Sequence, residues 1–406
     1  MSLGIFNTGQ FAPNLAALSF DQLITRLMPN GTAPLFGLTS MLKSETAVQV
    51  QHGYYAKTML FPSVQANGAQ SDSVTTITVD STANIIPGMQ LRALNANGEV
   101  ILVTGVLGET TIQVQRAFGG TAAAITDDLV FVQIGNAHEE ASIRPVPLAM
   151  DPEQYSNITQ IFRNTWAVSD TARATSVIAG QSIDAENRQD CATFHAKDIE
   201  SALFFGKKYQ GQRNGQPIRA MDGLISIISN LAYYPSQYSV PNVFAAAATT
   251  NYTQLEAMLD PVFNQTTDPK GANERVLFVG STARKVLNSI GRLNGQYYIV
   301  DGQTSYGLQF STFKITRGQF RMIEHPLFNS NPVWSSMAVA VDLPTFSLAY
   351  LAGRKTQSKE FNQNGQVAND FGIDAVGGTL TTEMTCLVRN PPANAVITGL
   401  TAGAAG

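Results

Sequence analysis

The sequence predicts an α+β protein, and three observations lead to that class. The run from Ile183 to Lys208 has no proline and no glycine before Gly206, which is typical of one long helix. Residues 74–134 consist of short alternating runs rich in Val, Ile and Thr, separated by turn dipeptides. Helical and strand patterns are then mixed through the middle third of the chain. Together these patterns indicate helices and sheets in one protein of more than one domain.

Composition limits the function classes. At 406 residues the chain is long enough for two or more domains. Only 14% of its residues are charged, against about 25% in typical proteins. Either much of the surface is covered by partners or the protein is simply weakly charged, and composition leaves both open. The net charge of −4 argues against tight binding of nucleic acid, because no basic field attracts phosphates.

Cysteines and termini indicate the compartment. Cys191 and Cys386 lie far apart in sequence and have neither disulfide-framework nor metal-site spacing, which fits a reducing cytosol. The first residues lack the basic and apolar regions of a signal peptide. No apolar run approaches the ~20 residues that a membrane-spanning helix needs. We therefore expect no membrane association.

Residues 1–45 show no clear period and are predicted to form an N-terminal arm. Within them Phe20–Met28 has the pattern of one short amphipathic helix, which Pro29, Asn30 and Gly31 would end. An extended arm that lies on another surface and an ordinary irregular N-terminus are both compatible with this stretch.

Residues 46–180 are predicted to form a long hairpin that carries a small all-β module, a barrel or a sandwich, at about residues 66–135. The flanks Tyr54–Pro62 and Ala141–Pro147 are interpreted as two longer strands that lead to the module and back. Turn chemistry at Pro87-Gly88 and Asn97-Gly98 separates the short strands. The predicted strands of the module are Thr76–Asp80, Met89–Leu94, Glu99–Val106, Thr111–Arg116 and Leu129–Ile134.

The run from Ile183 to Lys208 is the predicted spine helix, which at about 1.5 Å per residue would be roughly 39 Å long. Ser182 is its candidate N-cap. Acidic residues in the first turn and two lysines at the end oppose the helix dipole. The predicted buried stripe consists of Ala192, Ala196, Ile199 and Leu203.

The remaining chain is predicted to form a middle α+β domain at residues 236–344, while residues 181–235 and 345–406 form a second domain around the spine helix. Thr159–Ser169 is predicted to be extended. Polar loops are expected at Gly211–Gln216 and Arg354–Gly372. Helices are expected at Met221–Asn230, Thr253–Phe263 and Ser281–Ile290, the last one ended by Gly291. Strands are expected at Arg275–Val279, Phe310–Thr316, Trp334–Val341, Thr345–Leu351 and Gly378–Val388.

A search for catalytic motifs finds none. The sequence has no phosphate-binding loop and no GxSxG elbow. His138 stands beside Glu139 and Glu140 but lacks the second histidine that a zinc motif requires. His195 is interpreted as a packing histidine or a contact donor, and Asp222 as a turn or capping residue. The sequence therefore predicts no enzyme, no cofactor and no metal site.

The order of these elements resembles the Hong Kong 97 type major capsid (major head) proteins of tailed bacteriophages, whose parts are an N-arm, an E-loop, a spine helix in a peripheral domain, and an axial domain. The resemblance covers about Gly53 to Leu400 and is closer to a podovirus-like subfamily with a β-rich insertion in the E-loop. No single motif is diagnostic, since each is a turn, a strand or a helix. The stretches that carry it are GMQLRALNANGEVILVTGV, VQRAFGGTAAAI, GNAHEEAS, YSNITQIFRNTWAVSDTA, AKDIESALFFGKK, QPIRAMDGL and TLTTEMTCLVRNPPANAVITGL.

The resemblance implies a structural subunit that self-assembles, as hexamers and pentamers, into an icosahedral head around double-stranded DNA. It further implies a virion location, assembly in the host bacterial cytoplasm, loose contact with the packaged DNA, and a scaffold, a portal and a decoration or cement protein as partners. A β-rich virion adhesin or receptor-binding structural protein is the alternative, and an enzyme with an unrecognised site is a second one. The hypothetical subunit-interface residues are Phe20, Leu23, Tyr54, Tyr55, Arg144, His195, Lys207 and Lys359.

Overall fold

The structure is a computed structural model of the whole chain. The residues that it describes are 34–41, 44–57, 62–149, 151–175, 182–235, 238–247, 250–264, 273–293, 303–305, 308–361 and 375–401. The predicted arm helix Phe20–Met28 lies outside these residues.

Helices and strands are both present among the described residues, which confirms the α+β class. The helices are α1 (Pro34–Met41), α2 (Asp170–Ala174), α3 (Ile183–Phe205), α4 (Leu224–Ser229), α5 (Tyr252–Leu259), α6 (Ser281–Leu293) and α7 (Pro332–Ser335). The strands are β1 (Glu45–Ala47), β2 (Gln51–Ala56), β3 (Ser63–Gln65), β4 (Thr76–Thr78), β5 (Met89–Ala93), β6 (Val100–Gly108), β7 (Thr111–Gly119), β8 (Val130–Asn136), β9 (Glu153–Ile158), β10 (Gln160–Ser169), β11 (Tyr209–Arg213), β12 (Gln216–Ala220), β13 (Val243–Ala245), β14 (Glu274–Val279), β15 (Gln303–Ser305), β16 (Leu308–Ile315), β17 (Gly318–Glu324), β18 (Ala338–Val341), β19 (Phe346–Leu351), β20 (Gln357–Phe361), β21 (Ala375–Val388) and β22 (Ala395–Thr398).

The chain divides into two compact units, and the smaller one, Tyr55–Glu153, contains a closed barrel. Its six strands are hydrogen-bonded in the order β3-β8-β5-β6-β7-β4. The two end strands, β3 and β4, are joined directly after their last residues by a β-bridge between Ala66 and Val79. Beside this bridge, Asn67 N donates to Thr78 O at 3.0 Å. Closure leaves no unpaired edge along this sheet to attract another strand.

The barrel encloses its own hydrophobic core. Alternate residues of β5 and β7 point inward, and Leu91, Ile101 and Ile112 are completely buried. The Asn97-Gly98 turn predicted from the sequence is present, with Gly98 at φ +58°, a conformation that favours glycine. The buried residues of this core all come from the barrel segment itself, between Val64 and Phe131.

The two flanking strands predicted for the hairpin are only partly present. β2 ends at Ala56, so it covers the beginning of the predicted Tyr54–Pro62 strand. The second prediction, a strand at Ala141–Pro147, is wrong: this stretch has no regular secondary structure. Its two prolines lack the backbone N–H that a paired strand would use.

The spine helix α3 begins where it was predicted to begin and ends earlier. Ser182 caps it, since its Oγ accepts from Ala185 N at 3.3 Å. It ends at Phe205 rather than Lys208. At Gly206 a Cβ atom would lie 2.5 Å from Ala202 O, so only glycine fits this close approach. The two lysines therefore follow the helix instead of completing it.

The buried stripe of α3 differs from the predicted one. Ile199 and Leu203 are buried as expected, but Ala192 is exposed and Ala196 only half-buried. The observed stripe keeps the i, i+4 spacing and includes two polar residues. It consists of Cys191, His195, Ile199, Glu200, Leu203 and Phe204.

Glu200 is the buried polar residue that ties distant parts of the larger unit together. Its carboxylate accepts hydrogen bonds from Leu35 N at 2.8 Å and Phe36 N at 2.7 Å, in the first turn of α1. His325 Nε2 donates to it at 2.7 Å, because His325 Nδ1 accepts from Leu327 N. Both side chains are almost completely inaccessible. One carboxylate thus joins α1, α3 and the end of β17.

Two further sheets complete the larger unit. The five-stranded sheet has the order β1-β19-β21-β10, with β20 also paired to β21, and β10 and β21 align over ten residue pairs. The seven-stranded sheet has the order β13-β22-β18-β14-β17-β16-β15. Its strand β22 comes from the end of the chain, although the predicted middle domain ends at residue 344. The proposed division into domains stays a prediction.

Several local predictions are corrected. The expected loop Gly211–Gln216 is mostly strand: β11 and β12 form a hairpin whose turn is Asn214-Gly215. Part of the expected loop after Arg354 is strand β20. Trp334 belongs to the short helix α7, and the strand expected there begins only at Ala338. Gly291 does not end its helix, since α6 continues to Leu293. In the described part of the chain, no helix is both long and apolar enough to span a membrane.

Candidate functional site

The aromatic candidates on β2 have different environments because successive residues of a strand point to opposite faces. The Tyr54 hydroxyl donates to Val388 O at 2.6 Å, and its ring lies 5.5 Å from that of Tyr155. Burial raises the pKa of Tyr54, so the phenol remains a neutral donor. Tyr55, in contrast, is 69% exposed. Of these two only Tyr55 presents its ring for contact. Phe20 and Leu23 lie outside the described residues.

Arg144 lies in an exposed segment that the sequence had assigned to a strand. We call His138–Ala149 the exposed segment, since all of its residues are exposed and none is in a helix or strand. Its apolar side chains include Ile143, which is 91% exposed, and Val146, which is 59% exposed. A stretch of this kind buries almost no apolar area by itself. Sequence reasoning missed it, although its prolines were a usable signal.

His195 is an interior residue, as expected of the packing histidine that is one of its two interpretations. Its Nδ1 lies 2.6 Å from Asn164 Oδ1 and its Nε2 2.8 Å from Thr382 Oγ1. Asn164 Nδ2 donates to Asp198, so its oxygen faces the ring and His195 Nδ1 is the donor. Burial lowers the pKa of His195, and the charge of Asp198 only partly opposes this shift. Both ring nitrogens are used inside the chain.

Lys207 and the adjacent Lys208 line a cavity of about 460 Å³ beside the end of α3. Asp222 lies in its wall and accepts from Lys208 N at 2.8 Å and Ser226 Oγ at 2.7 Å. The Tyr233 hydroxyl donates to its other oxygen. The capping role predicted for Asp222 is wrong: the residue before α4 is Gly223, without a side-chain cap, and the Asp222 carboxylate instead joins the chain after α3 to α4 and Tyr233. The other lining residues are Gln154, Tyr155, Ser156, Asn230 and Ala232.

Lys359 is exposed on β20, opposite Thr379 of β21. The neighbouring strand β10 presents Arg163 and Thr165 on the same face, and Thr165 Oγ1 lies 3.1 Å from Thr379 Oγ1. α3 packs against the other face of this sheet, where Phe162 and Trp166 are buried. The face with Lys359 thus presents exposed Lys, Arg and Thr side chains.

The described residues do not combine into a catalytic or metal centre. No group of three or more His, Cys, Asp or Glu side chains is arranged among them to hold a metal ion. His138 packs against Gly88, where a Cβ atom would collide with its ring. What the arrangement offers is contact surface: exposed apolar side chains, a cavity lined by two lysines, and the sheet face that carries Lys359.

Comparison with known proteins gives a family match over nearly the whole chain. The family model described as "SU10 major capsid protein" matches residues 4–401. A relative named "Major capsid protein", from Pseudomonas phage PaMx41, is 36% identical over 411 residues, which cover 98% of this chain and 96% of the relative. Both matches extend well beyond any single domain.

Solved structures with a similar fold are much more distant. The capsid of an empty GTA particle is 8% identical, covers 95% of each chain and has a TM-score of 0.47. The Microbacterium phage Oxtober96 structure is 12% identical, covers 95% of this chain and 96% of its own, and has a TM-score of 0.44. The SrpI encapsulin of Synechococcus elongatus PCC 7942 is 10% identical, covers 62% and 77%, and has a TM-score of 0.41.

Proposed function

This chain belongs to the SU10 major capsid protein family, and from that membership we propose that its copies assemble into the closed icosahedral head that encloses a phage's double-stranded DNA. A phage major capsid protein is a structural component of the virion and not an enzyme. Because the chain belongs to this family, the hypothesis of a virion adhesin is set aside. The proposal includes hexamers and pentamers as building units and assembly in the host cytoplasm. It also includes the division into a Hong Kong 97-like N-arm, E-loop, peripheral domain and axial domain.

The exposed segment His138–Ala149 is the observation that carries this proposal. Isolated exposed apolar residues are ordinary, but a continuous stretch with Ile143, Val146 and Leu148 all exposed is typical of a contact surface. Specific interfaces bury about 800 Å² on each partner. In a closed shell every copy has neighbours, so such a segment can be covered in all of them.

The hairpin of β11 and β12 supports the same conclusion. Nearly all of its residues are exposed, including Tyr209 and Ile218. Two-stranded hairpins are only marginally stable by themselves. We propose that Tyr55, this hairpin and the sheet face around Lys359 contact neighbouring copies, together with Arg144 in the exposed segment.

Low charge also suits a shell around DNA. With 14% charged residues, few ions need to be desolvated at the interfaces. Strong DNA binding depends on neutralising phosphates with Lys and Arg, and the net charge of −4 provides no excess for that. We therefore propose loose contact with the packaged DNA. A scaffold, a portal and a decoration protein are further proposed partners.

Electron microscopy and sedimentation of the purified protein test the proposal. We expect regular shells from the wild type. Ile143→Asp with Val146→Asp should prevent their formation, because charged groups would have to be buried. Ile143→Leu with Val146→Ile keeps the apolar area and is the matched control. Wild-type protein that remains small and never forms shells, with or without a scaffold protein, would overturn the proposal.

A further inference from the structure

We propose that the cavity beside the end of the spine helix receives a side-chain carboxylate from a second copy, and that Glu139 and Glu140 of the exposed segment supply it. This inference rests on the proposed function, since it needs neighbouring copies. It goes further by naming the two partners of one contact.

The cavity has the size and polarity for such a ligand. Its volume of about 460 Å³ exceeds what one carboxylate side chain fills, so water can accompany the group. Ser226, Asn230 and Gln154 add polar groups to the lining. Lys207 and Lys208 line the cavity directly after α3, where the carbonyl end of the helix favours cations.

Neither ammonium group is neutralised within the described part of the chain. Lys208 Nζ donates only to the backbone oxygen of Ser156, at 3.4 Å. No carboxylate described by the structure lies within ion-pair distance of Lys207 or Lys208. The site can therefore accept a negative charge from outside.

Asp222 does not fill that role, although it lines the same cavity. One of its oxygens accepts from Lys208 N and Ser226 Oγ, and the other from the Tyr233 hydroxyl. The Asp222 side chain is therefore committed to partners within its own chain. Two lysines against this one bound carboxylate leave the cavity with a net positive charge.

Glu139 and Glu140 are the complementary group. They are adjacent and exposed, and neither forms an ion pair among the described residues. They precede Ile143 and Val146, which need a surface that covers them. Two adjacent carboxylates match two adjacent lysines, and opposite charges across an interface fix its register and suppress wrong alignments.

Packaged DNA is the competing anion, and the observations favour protein. DNA-binding surfaces gather many phosphate contacts, whereas this cavity has two lysines and an aspartate. A cavity, moreover, admits a protruding side chain more readily than a duplex backbone.

Charge exchange between the two groups is the first test. Lys207→Glu with Lys208→Glu, and separately Glu139→Lys with Glu140→Lys, should each raise the concentration needed for assembly at least about tenfold, because attraction becomes repulsion. The quadruple variant should return to within about threefold of wild type. Lys285→Glu and Glu109→Lys, exposed charges elsewhere, are matched controls and should change it less than about threefold. Circular dichroism verifies that each variant is folded.

The second test is a disulfide that can form only between copies. Lys207→Cys and Glu140→Cys are prepared as separate chains, mixed, assembled and treated with a mild oxidant. We expect a dimer from the mixture and none from either variant alone, since the natural Cys191 and Cys386 are buried.

The outcomes separate this inference from the proposed function. If the quadruple variant assembles no better than the double variants and the mixture gives no dimer, the pairing is wrong even where wild-type shells form. If the lysine variants assemble normally but lose salt-dependent binding of DNA, the cavity is a phosphate site and the inference is also overturned. Absence of wild-type shells would instead contradict the proposed function.

Discussion

The barrel of Ser63–Asn136 and the larger unit around α3 are stabilised in different ways. The barrel closes its own sheet and covers its own core, and its buried ion pair, Arg116 with Glu99, joins residues close in sequence at 2.8 Å. In the larger unit, Glu200 joins segments separated by more than a hundred residues. The core and the buried ion pair that stabilise the barrel therefore lie within residues 63–136. The stability of the larger unit depends instead on contacts between segments far apart in the chain.

The largest effect is expected from Glu200→Ala. It would leave the first turn of α1 and the ring of His325 buried without their acceptor, and removing one partner of a buried polar cluster costs about 3–5 kcal/mol. Urea unfolding followed by tryptophan fluorescence measures this, because both tryptophans, Trp166 and Trp334, belong to the larger unit. Gln189→Ala on the exposed side of α3 is the control. A change below about 1 kcal/mol would show that the cluster is dispensable.

Breaking the spine directly is the next test. Ala196→Pro should cost about 3 kcal/mol or more, because proline removes a helix hydrogen bond and collides with the preceding turn. The fluorescence transition should shift, while hydrogen exchange of the barrel strands should stay unchanged. Ala196→Ser retains the helix and should have a small effect. Equal loss of protection in the barrel would contradict the independence of the two units.

A substitution in the barrel core should destabilise the barrel and leave the larger unit unchanged. Ile101→Val removes one buried methylene and should cost about 0.5–1.5 kcal/mol. Hydrogen exchange should accelerate in the barrel strands, with no shift in tryptophan fluorescence. Leu107→Val, on the exposed end of the same strand, should change stability by less than about 0.5 kcal/mol. An effect confined to the larger unit would contradict the comparison.

The smallest effect is a pH dependence of the larger unit. Burial lowers the pKa of His195 below its ordinary value of 6.5, so the unfolded chain binds a proton more readily than the folded one. The stabilisation is therefore complete above pH 6.5 and is lost as the pH falls through the lowered folded value. His195→Gln should flatten the difference between fluorescence-detected stability at pH 7.5 and at pH 5.5. An unchanged slope would show that His195 does not contribute.

The barrel has a different acid response. Burial alone would raise the pKa of Glu99, but hydrogen bonds from Arg116 and from Ala117 N and Ala123 N outweigh it, so the pKa lies below its ordinary value of 4.5. This stabilisation is present above pH 4.5 and is lost only as the pH falls below it through the folded value. Between pH 7.5 and 5.5 Glu99 should therefore leave the barrel unchanged.

What could be predicted from the sequence follows the same division. Alternation and the Asn97-Gly98 turn identified the barrel strands, because each strand carries its own alternating pattern and all six lie within residues 63–136. The start of α3 at Ser182 was equally readable. The burial of Glu200 was not, since a charged residue in a helix normally faces water and its partners come from α1 and the end of β17. His195 was interpreted as a packing histidine or a contact donor, but its partners on β10 and β21 could not be read from the sequence. Among the contact candidates, exposure of Tyr55 and Lys359 agrees with the predicted role without testing it.

The most direct test of the account is hydrogen exchange of the free subunit against the assembled shell. The account predicts that amides in His138–Ala149 and in the hairpin Tyr209–Ala220 become protected on assembly, while the barrel strands, already complete, remain unchanged. Protection gained in the barrel strands, with the exposed segment still exchanging freely in the shell, would contradict it.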